Sequence, residues 1–135
     1  MAQANPSDNR PLSPHLQVYK FMINTVMSIF HRMTGMALYF GTLLLAWWLI
    51  AAAYGPEHFA VANWFFGSIF GQIILFGYTW ALLHHLLGGV RHFIWDTGAG
   101  FDLATIDRLG WATIIGSVSL TLLVWIVALT LGGAS

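Results

Sequence analysis

The sequence predicts an all-α integral membrane protein with three transmembrane helices, its N-terminus inside and its C-terminus outside. Of its 135 residues, 58% are hydrophobic and only 7% are charged, whereas soluble globular domains carry about 25% charged residues. Three stretches without Asp, Glu, Lys or Arg are each long enough to cross a bilayer, which takes roughly 20 residues. The basic residues fall on one side of the resulting topology, and this distribution sets its direction.

The spans follow from these uncharged stretches, which are Met33–Ala53, Phe59–Val90 and Leu109–Gly133. With flanking residues added, the predicted helices cover about 26–53, 60–95 and 108–132. The whole chain, 1–135, is expected to form a single membrane-anchor domain in which residues 1–24 are an N-terminal surface segment. Within the second span, "GSIFG" (67–71) has the spacing of small residues that permits close helix contact.

Residues that end or begin helices separate these elements. Gly55 and Pro56 break the chain between the first two spans, and the acidic segment 96–108 separates the last two. Ahead of the first span, Ser13 and Pro14 suit the N-cap and the first position of a short helix. The N-terminal residues lack the features of signal and transit peptides, so the chain is expected to insert through its own spans unless a presequence has been removed.

The charge distribution sets the orientation and excludes other classes of protein. Arg10, Lys20 and Arg32 precede or begin the first span, and Arg91 and Arg108 flank the loop between the second and third. Because basic residues are retained on the cytoplasmic side, the N-terminus and this loop are predicted to lie inside. The chain has no cysteine, which excludes cysteine-ligated metals, and its formal net charge of zero argues against a nucleic-acid partner.

Ionisable residues inside a bilayer are costly and are usually functional, and here they form two clusters. With Asp96 at the inner water boundary, His85 lies about 16 Å deep, whereas His92 lies near the headgroups. His84 and Arg91 point elsewhere around the second helix. The first helix carries a single face with the spacing i, i+3, i+4, i+7, formed by Ser28, His31, Arg32 and Gly35. The second carries a face formed by His85, Gly89, His92 and Asp96.

One deep imidazole, with cations and further imidazoles nearer the surface, suits a b-type haem. The iron takes neutral imidazole ligands, of which His85 is the candidate, and the flat macrocycle needs small neighbours, here Gly88 and Gly89. Ligation by two imidazoles leaves no open position for oxygen and therefore favours electron transfer. The candidate partners of the two propionates are His31, Arg32, Arg91 and His92.

Simpler interpretations of the same residues stay open. Taken alone, His85 is about as well explained by a hydrogen bond to a neighbouring helix, and the arginines by contacts with lipid phosphates. His84 is expected to face a partner chain or the bilayer. His15 and His58 lie outside the spans and are expected to be solvated. The haem interpretation is favoured because two clusters converge on one side of the membrane.

Three segments resemble the motifs of a known family, the cytochrome b membrane subunits of succinate dehydrogenase. They are "RPLSPHLQVYKF", "SIFHRMTG" and "HHLLGGVRHFIWD", in the family's order and spacing, and they extend from Arg10 to about Asp96. The first segment is closer to the mitochondrial and related bacterial branch. The third span matches only as an apolar helix. The resemblance implies a multi-pass protein of the bacterial inner membrane, with the mitochondrial inner membrane less favoured.

The resemblance also implies roles for individual residues. In the motif H-x-x-x-G-x-R-H, His85 would be this chain's axial ligand to the haem iron, the second ligand coming from another anchor subunit. Ser28 and Arg32 would line a ubiquinone pocket, where a fixed guanidinium stabilises negative charge developing on a quinone oxygen. His31 would contact a haem propionate. Arg91 and His92 are motif residues with less specific roles in the haem pocket.

The implied protein is a non-flavin subunit of succinate:ubiquinone oxidoreductase that shares haem b and ubiquinone with its partners. Those partners are a flavoprotein, an iron–sulfur protein and a second small membrane anchor, within the lipid bilayer. The chain has no flavin-binding pattern and no cysteine for an iron–sulfur cluster, so no succinate site is expected in it. Two alternatives remain: a small transporter or proton channel, and a haem-free structural anchor. A reduced-minus-oxidised visible spectrum distinguishes the first interpretation from these.

Overall fold

The computed structural model describes residues 23–133, and all of the secondary structure in this range is helical. The four helices are α1 (Ile23–Tyr54), α2 (Pro56–Gly67), α3 (Ile69–Asp96) and α4 (Leu103–Gly132). Three segments are long and apolar enough to cross a membrane, namely Thr25–Tyr54, Ile69–Asp96 and Leu103–Gly132. For residues 23–133, the prediction of an all-helical fold with three such helices is therefore confirmed.

Part of the predicted N-terminal organisation lies outside the described residues. The surface segment 1–24 falls almost wholly before Ile23, and the predicted helix start at Ser13 and Pro14 lies within that part. Arg10 and Lys20, which contribute to the predicted orientation, also precede the described range. The orientation therefore stays a prediction.

The three long helices form a bundle in which the directions alternate. The start of α4 meets the start of α1, because a Cβ on Gly110 would lie 3.4 Å from the Ile23 side chain and 3.6 Å from that of Met27. The end of α3 reaches the same place, since His31 lies against Gly88. We call this the basic end of the bundle, and among the described residues it carries Arg32, Arg91 and Arg108.

The second span is shorter than predicted, because the expected continuous helix over 60–95 is interrupted. Helix α2 ends at Gly67 and α3 begins at Ile69. Between them Ser68 has an extended backbone, with φ −70° and ψ 159°, and its Oγ accepts a hydrogen bond from the Gly71 amide at 3.1 Å. Serine is a favoured N-cap because its side chain satisfies an amide that has no partner within the helix. Hydropathy does not reveal this break, since the residues on both sides are apolar.

Of the two glycines in the segment "GSIFG", Gly71 is required by a close backbone contact, and Gly67 is not. A Cβ on Gly71 would overlap the carbonyl oxygen of Phe65 and lie 2.8 Å from Cα of Phe66, whereas a Cβ on Gly67 would meet nothing within 4 Å. The close contact suggested by the spacing therefore joins the start of α3 to the end of α2. It does not join two long helices through both glycines.

We expect Gly71→Ala to destabilise the protein, because the added methyl group would push α3 away from the end of α2. Overpacking of this kind costs about 1–3 kcal/mol of unfolding free energy. Gly77→Ala is the matched control in the same helix, since its Cβ would meet nothing within 4 Å and alanine favours a helix interior. Thermal unfolding of the detergent-solubilised variants, followed by circular dichroism, makes the comparison. Equal melting temperatures would contradict the close packing at Ser68.

The connection between α3 and α4 is short and held by hydrogen bonds. Gly98 and Gly100 adopt φ values of 81° and 78°, which L side chains rarely take, and Trp95 Nε1 donates to the Gly100 carbonyl oxygen at 3.2 Å. Asp102 caps α4 by accepting from the Thr105 hydroxyl at 2.8 Å and from its amide at 3.1 Å. These two hydrogen bonds lower the pKa of the Asp102 carboxyl below its usual value. The start of α4 is thus fixed close to the end of α3.

At the opposite end of the bundle, α2 folds back along α1 through aromatic contacts. The ring of Trp47 lies 5.6 Å from that of Phe65 and 5.7 Å from that of Phe66, measured between centroids. Trp48 Nε1 donates a hydrogen bond to Asn63 Oδ1 at 3.1 Å. These tryptophans therefore pack against α2. The predicted site histidines of α1 and α3 lie away from them, at the basic end.

Candidate functional site

Three of the predicted site histidines meet at the basic end of the bundle. The rings of His31 on α1 and His85 on α3 stack with their centroids 4.0 Å apart and their planes 7° from parallel. His92, two turns further along α3, lies 5.2 Å from the His31 ring at 60°. The histidines of the two polar faces recognised in the sequence thus come together in one cluster, which we call the histidine cluster.

The hydrogen bonds of His85 determine which of its ring nitrogens carries the proton. Its Nδ1 lies 3.2 Å from the carbonyl oxygen of His31 and 3.3 Å from Oγ1 of Thr34. A carbonyl oxygen only accepts, so Nδ1 is the protonated nitrogen and donates. The Thr34 hydroxyl directs its own proton to backbone carbonyls of α1, that of Phe30 at 2.8 Å among them. In its neutral form, His85 therefore presents Nε2 with a free lone pair, which is the form that binds a metal.

Small residues shape the space around the histidine cluster. A Cβ on Gly35 would lie 3.1 Å from Cε1 of His85, and one on Gly88 would lie 2.5 Å from Nδ1 of His31. Gly88, predicted to make room for a macrocycle, thus makes room for the His31 ring in this structure. A Cβ on Gly89 would meet nothing within 4 Å, so the side of α3 at Gly89 is open.

The two predicted quinone-binding residues lie on the outside of the bundle beside this cluster. Ser28 and Arg32 are both exposed and stand on α1 on either side of His31. No described acidic group forms an ion pair with Arg32. Both side chains are therefore available to a ligand or to a neighbouring subunit.

Arg91 lies in a different place from the other predicted pocket residues. It is only 3% exposed, and its guanidinium carbon lies 5.0 Å from the centroid of the Trp95 ring, a cation–π contact. Its Nε is buried without a hydrogen-bond partner in the described part of the chain. Arg91 thus points into the bundle, in keeping with its predicted direction away from the face of His85.

The expectation that His84 faces a partner chain or the bilayer is wrong. Its side chain is 2% exposed and lies between helices, with Nδ1 3.2 Å from Oγ of Ser117 on α4. The rings of Trp80 and Phe30 pack on it, at 4.9 Å and 6.1 Å between centroids. Its Nε2 is buried without a partner among the described residues, so His84 cannot offer that nitrogen to a cofactor outside the bundle. His85 is only partly buried.

Two residues that support the site are absent from the sequence-based predictions. Thr34 lies within "SIFHRMTG", three residues after His31, and is 2% exposed. Ser117 lies in the third span, which shows no motif, and is fully buried. The signal available in the sequence was a stripe of small and hydroxyl residues at intervals of three or four along α4, formed by Gly110, Thr113, Ser117 and Thr121.

The fold and the histidine cluster define a class: a multi-pass helical membrane protein with an imidazole-rich site at one end of its bundle. The chain belongs to the family of succinate dehydrogenase/fumarate reductase transmembrane subunits, which it matches over residues 6–124. The resemblance carried by the three sequence motifs is therefore confirmed.

Individual relatives support this assignment along most of the chain. The succinate dehydrogenase cytochrome b556 subunit of Paracoccus denitrificans is 47% identical over 127 residues, which cover 94% of this chain and 97% of the relative. The cytochrome b556 subunit of Rickettsia felis is 40% identical over 119 residues, covering 88% and 93%. The mitochondrial cytochrome b560 subunit of Sus scrofa is 34% identical over 119 residues, covering 84% and 69%.

Proposed function

We propose that this chain is a membrane-anchor subunit of succinate:ubiquinone oxidoreductase that binds haem b and ubiquinone jointly with partner subunits. Membership of the family supplies the class of complex. The observation that carries the haem assignment is the hydrogen bond between His85 Nδ1 and the His31 carbonyl oxygen, because it fixes the ring and, in the neutral imidazole, leaves the lone pair on Nε2. In this proposal His85 is the axial ligand from this chain.

The residues around His85 are proposed to hold the haem. Gly89 leaves open space beside α3 that a flat macrocycle could use, whereas the space beside Gly88 holds the His31 ring. His31, Arg32 and His92 are the proposed partners of the propionates. Arg91, buried against Trp95, is proposed to add positive charge from inside the bundle. When bound, the haem supplies one-electron transfer.

The second axial ligand is proposed to come from the other anchor subunit. The rings of His31 and His85 lie face to face at 4.0 Å, so their nitrogens do not oppose each other across a single iron. His84 is directed toward Ser117. These arrangements favour a shared haem over one held by this chain alone.

Ser28 and Arg32 are the proposed quinone-binding residues. Both are exposed beside the histidine cluster, where a quinone head group and the haem would be neighbours. Electron uptake places negative charge on a quinone oxygen, and a fixed guanidinium stabilises that charge without reorganisation. The Ser28 hydroxyl is proposed to donate a hydrogen bond to the other polar end of the head group, or to pass a proton to it.

The basic end of the bundle is proposed to face the cytoplasm in a bacterial inner membrane, with the N-terminus inside and the C-terminus outside. The support is the placement of the basic residues, since such residues are retained on the cytoplasmic side. The flavoprotein and iron–sulfur subunits would dock at this end and deliver electrons from succinate. The chain itself contains no cysteine for a cluster, so its part in the enzyme is limited to the quinone-reducing site.

The test is purification of the assembly in mild detergent, with identification of its subunits and a reduced-minus-oxidised visible spectrum. We expect a flavoprotein, an iron–sulfur protein and a second small hydrophobic chain, together with a b-type spectrum from bis-histidine ligation. A complete assembly without haem would identify a structural anchor. Purification of the chain without the flavoprotein and iron–sulfur protein would instead favour a transporter or channel.

A further inference from the structure

Helix α3 is held on two sides by two adjacent imidazoles. Consecutive residues of an α-helix point about 100° apart, so His84 and His85 reach different neighbours. His85 donates to the His31 carbonyl oxygen on α1 at 3.2 Å, and His84 lies 3.2 Å from Ser117 on α4. A rotation of α3 about its axis would turn both rings together and break both hydrogen bonds.

The direction of the hydrogen bond between α3 and α4 follows from its partners. The Ser117 hydroxyl has one proton, which it donates to the Ile114 carbonyl oxygen at 3.0 Å. It therefore accepts from Nδ1–H of His84, and His84 Nε2 is left as a lone pair without a partner in the described part of the chain. A buried acceptor without a partner costs free energy. A phenylalanine could fill the same space without that cost, so simple packing does not explain a histidine at this position.

Helix α4 is shaped to bring Ser117 to this place. A Cβ on Gly116 would lie 3.1 Å from Cδ1 of Leu87, so the absence of a side chain there lets α4 approach α3 closely. Ser117 is 0% exposed, and Trp80 packs on the His84 ring from α3 itself. The hydrogen bond is therefore shielded from water and has a restricted geometry.

We infer that Ser117 and His84 are positioning residues that set the orientation of the His85 ring from the side of α3 that faces α4. In this view α4, the helix without a recognisable motif, fixes the rotation of α3 through one buried hydrogen bond. The orientation of the His85 ring that would hold the haem then depends on a residue buried between α3 and α4. The inference rests on the proposed haem ligation by His85.

The test compares Ser117→Ala with Ser119→Ala in the purified complex, since Ser119 is an exposed serine on the same helix. The electron paramagnetic resonance spectrum of oxidised low-spin haem depends on the angle between the two axial imidazole planes, and the midpoint potential depends on how the ligand is held. We expect Ser117→Ala to shift the low-field resonance and the potential at unchanged haem content. Ser119→Ala should match the wild type.

A second variant keeps the inference testable if Ser117→Ala fails to assemble. His84→Phe retains an aromatic ring against Trp80 but removes the donor, and it also removes the unpartnered Nε2, so its folding should be preserved. We expect the same spectral shift. Wild-type spectra from both of these variants, or equal shifts in Ser119→Ala, would overturn the positioning role. Absence of a bis-histidine spectrum from the wild-type complex would instead overturn the proposed haem ligation, and the inference with it.

Discussion

Replacing His85 with alanine is expected to remove most of the haem from the assembled complex, whereas His84→Ala should leave it bound. The physical reason is the environment of each Nε2. In His85, Nδ1–H is bonded to the His31 carbonyl oxygen and Nε2 keeps its lone pair on a partly exposed ring. In His84, Nε2 is buried inside the bundle. Only the first is therefore expected to coordinate an iron outside the three helices.

The measurement is the haem content per complex, taken from the reduced-minus-oxidised spectrum and divided by the concentration of the purified complex. Both substitutions remove an imidazole and an inter-helix hydrogen bond, so His84→Ala controls for the loss of packing. We expect His84→Ala to shift the spectrum slightly, through Ser117, without loss of haem. Equal loss of haem in both variants would mean that the assignment of the ligand to His85 is wrong.

Replacing Arg32 with leucine is expected to lower quinone reductase activity strongly, while succinate oxidation with an artificial dye stays nearly intact. Removing one fixed group that stabilises developing negative charge typically costs about 10²–10³-fold in rate. Dyes accept electrons before the quinone site, so they report on the flavoprotein and iron–sulfur subunits alone. The ratio of the two activities in one preparation is therefore the measurement.

Arg108→Leu is the matched control for this prediction. Arg108 is an exposed arginine at the same end of the bundle, on α4, and its removal changes the net charge by the same amount. Arg32→Lys should restore part of the activity, because lysine keeps the charge but not the planar fork of donors. Quinone turnover by Arg32→Leu at the rate of the control would exclude Arg32 from the quinone site.

Helical periodicity and the cost of charge in a bilayer explain how much could be predicted from the sequence. The uncharged stretches located three apolar helices because unpaired charge is not tolerated in hydrocarbon. An α-helix has 3.6 residues per turn. This repeat placed His31 on the polar face of the first span, and His85 with His92 on the polar face of the second. The same periodicity directed Arg91 away from that face. The structure adds that histidines from the two helices meet, with the His31 and His85 rings 4.0 Å apart.

The break between α2 and α3 at Ser68 could not be predicted from hydropathy. Both sides of it are apolar, so composition gives no boundary, and a serine in an apolar run is equally compatible with a continuous helix. What ends α2 is a local cap together with the close approach of Gly71 to the backbone of Phe65. That approach depends on how α2 folds back toward α1, which involves residues distant in the sequence.

By itself the sequence determined the class of fold, the helices that carry the polar faces, and the family. Only the tertiary structure decided which neighbouring helix each histidine contacts. His84 forms a hydrogen bond with Ser117 on α4, and His85 forms one with the His31 carbonyl oxygen on α1. The physical reason is that hydropathy and periodicity are properties of one helix. A hydrogen bond between helices depends on the packing of two, through small residues such as Gly116 and Gly88 that allow their backbones to approach.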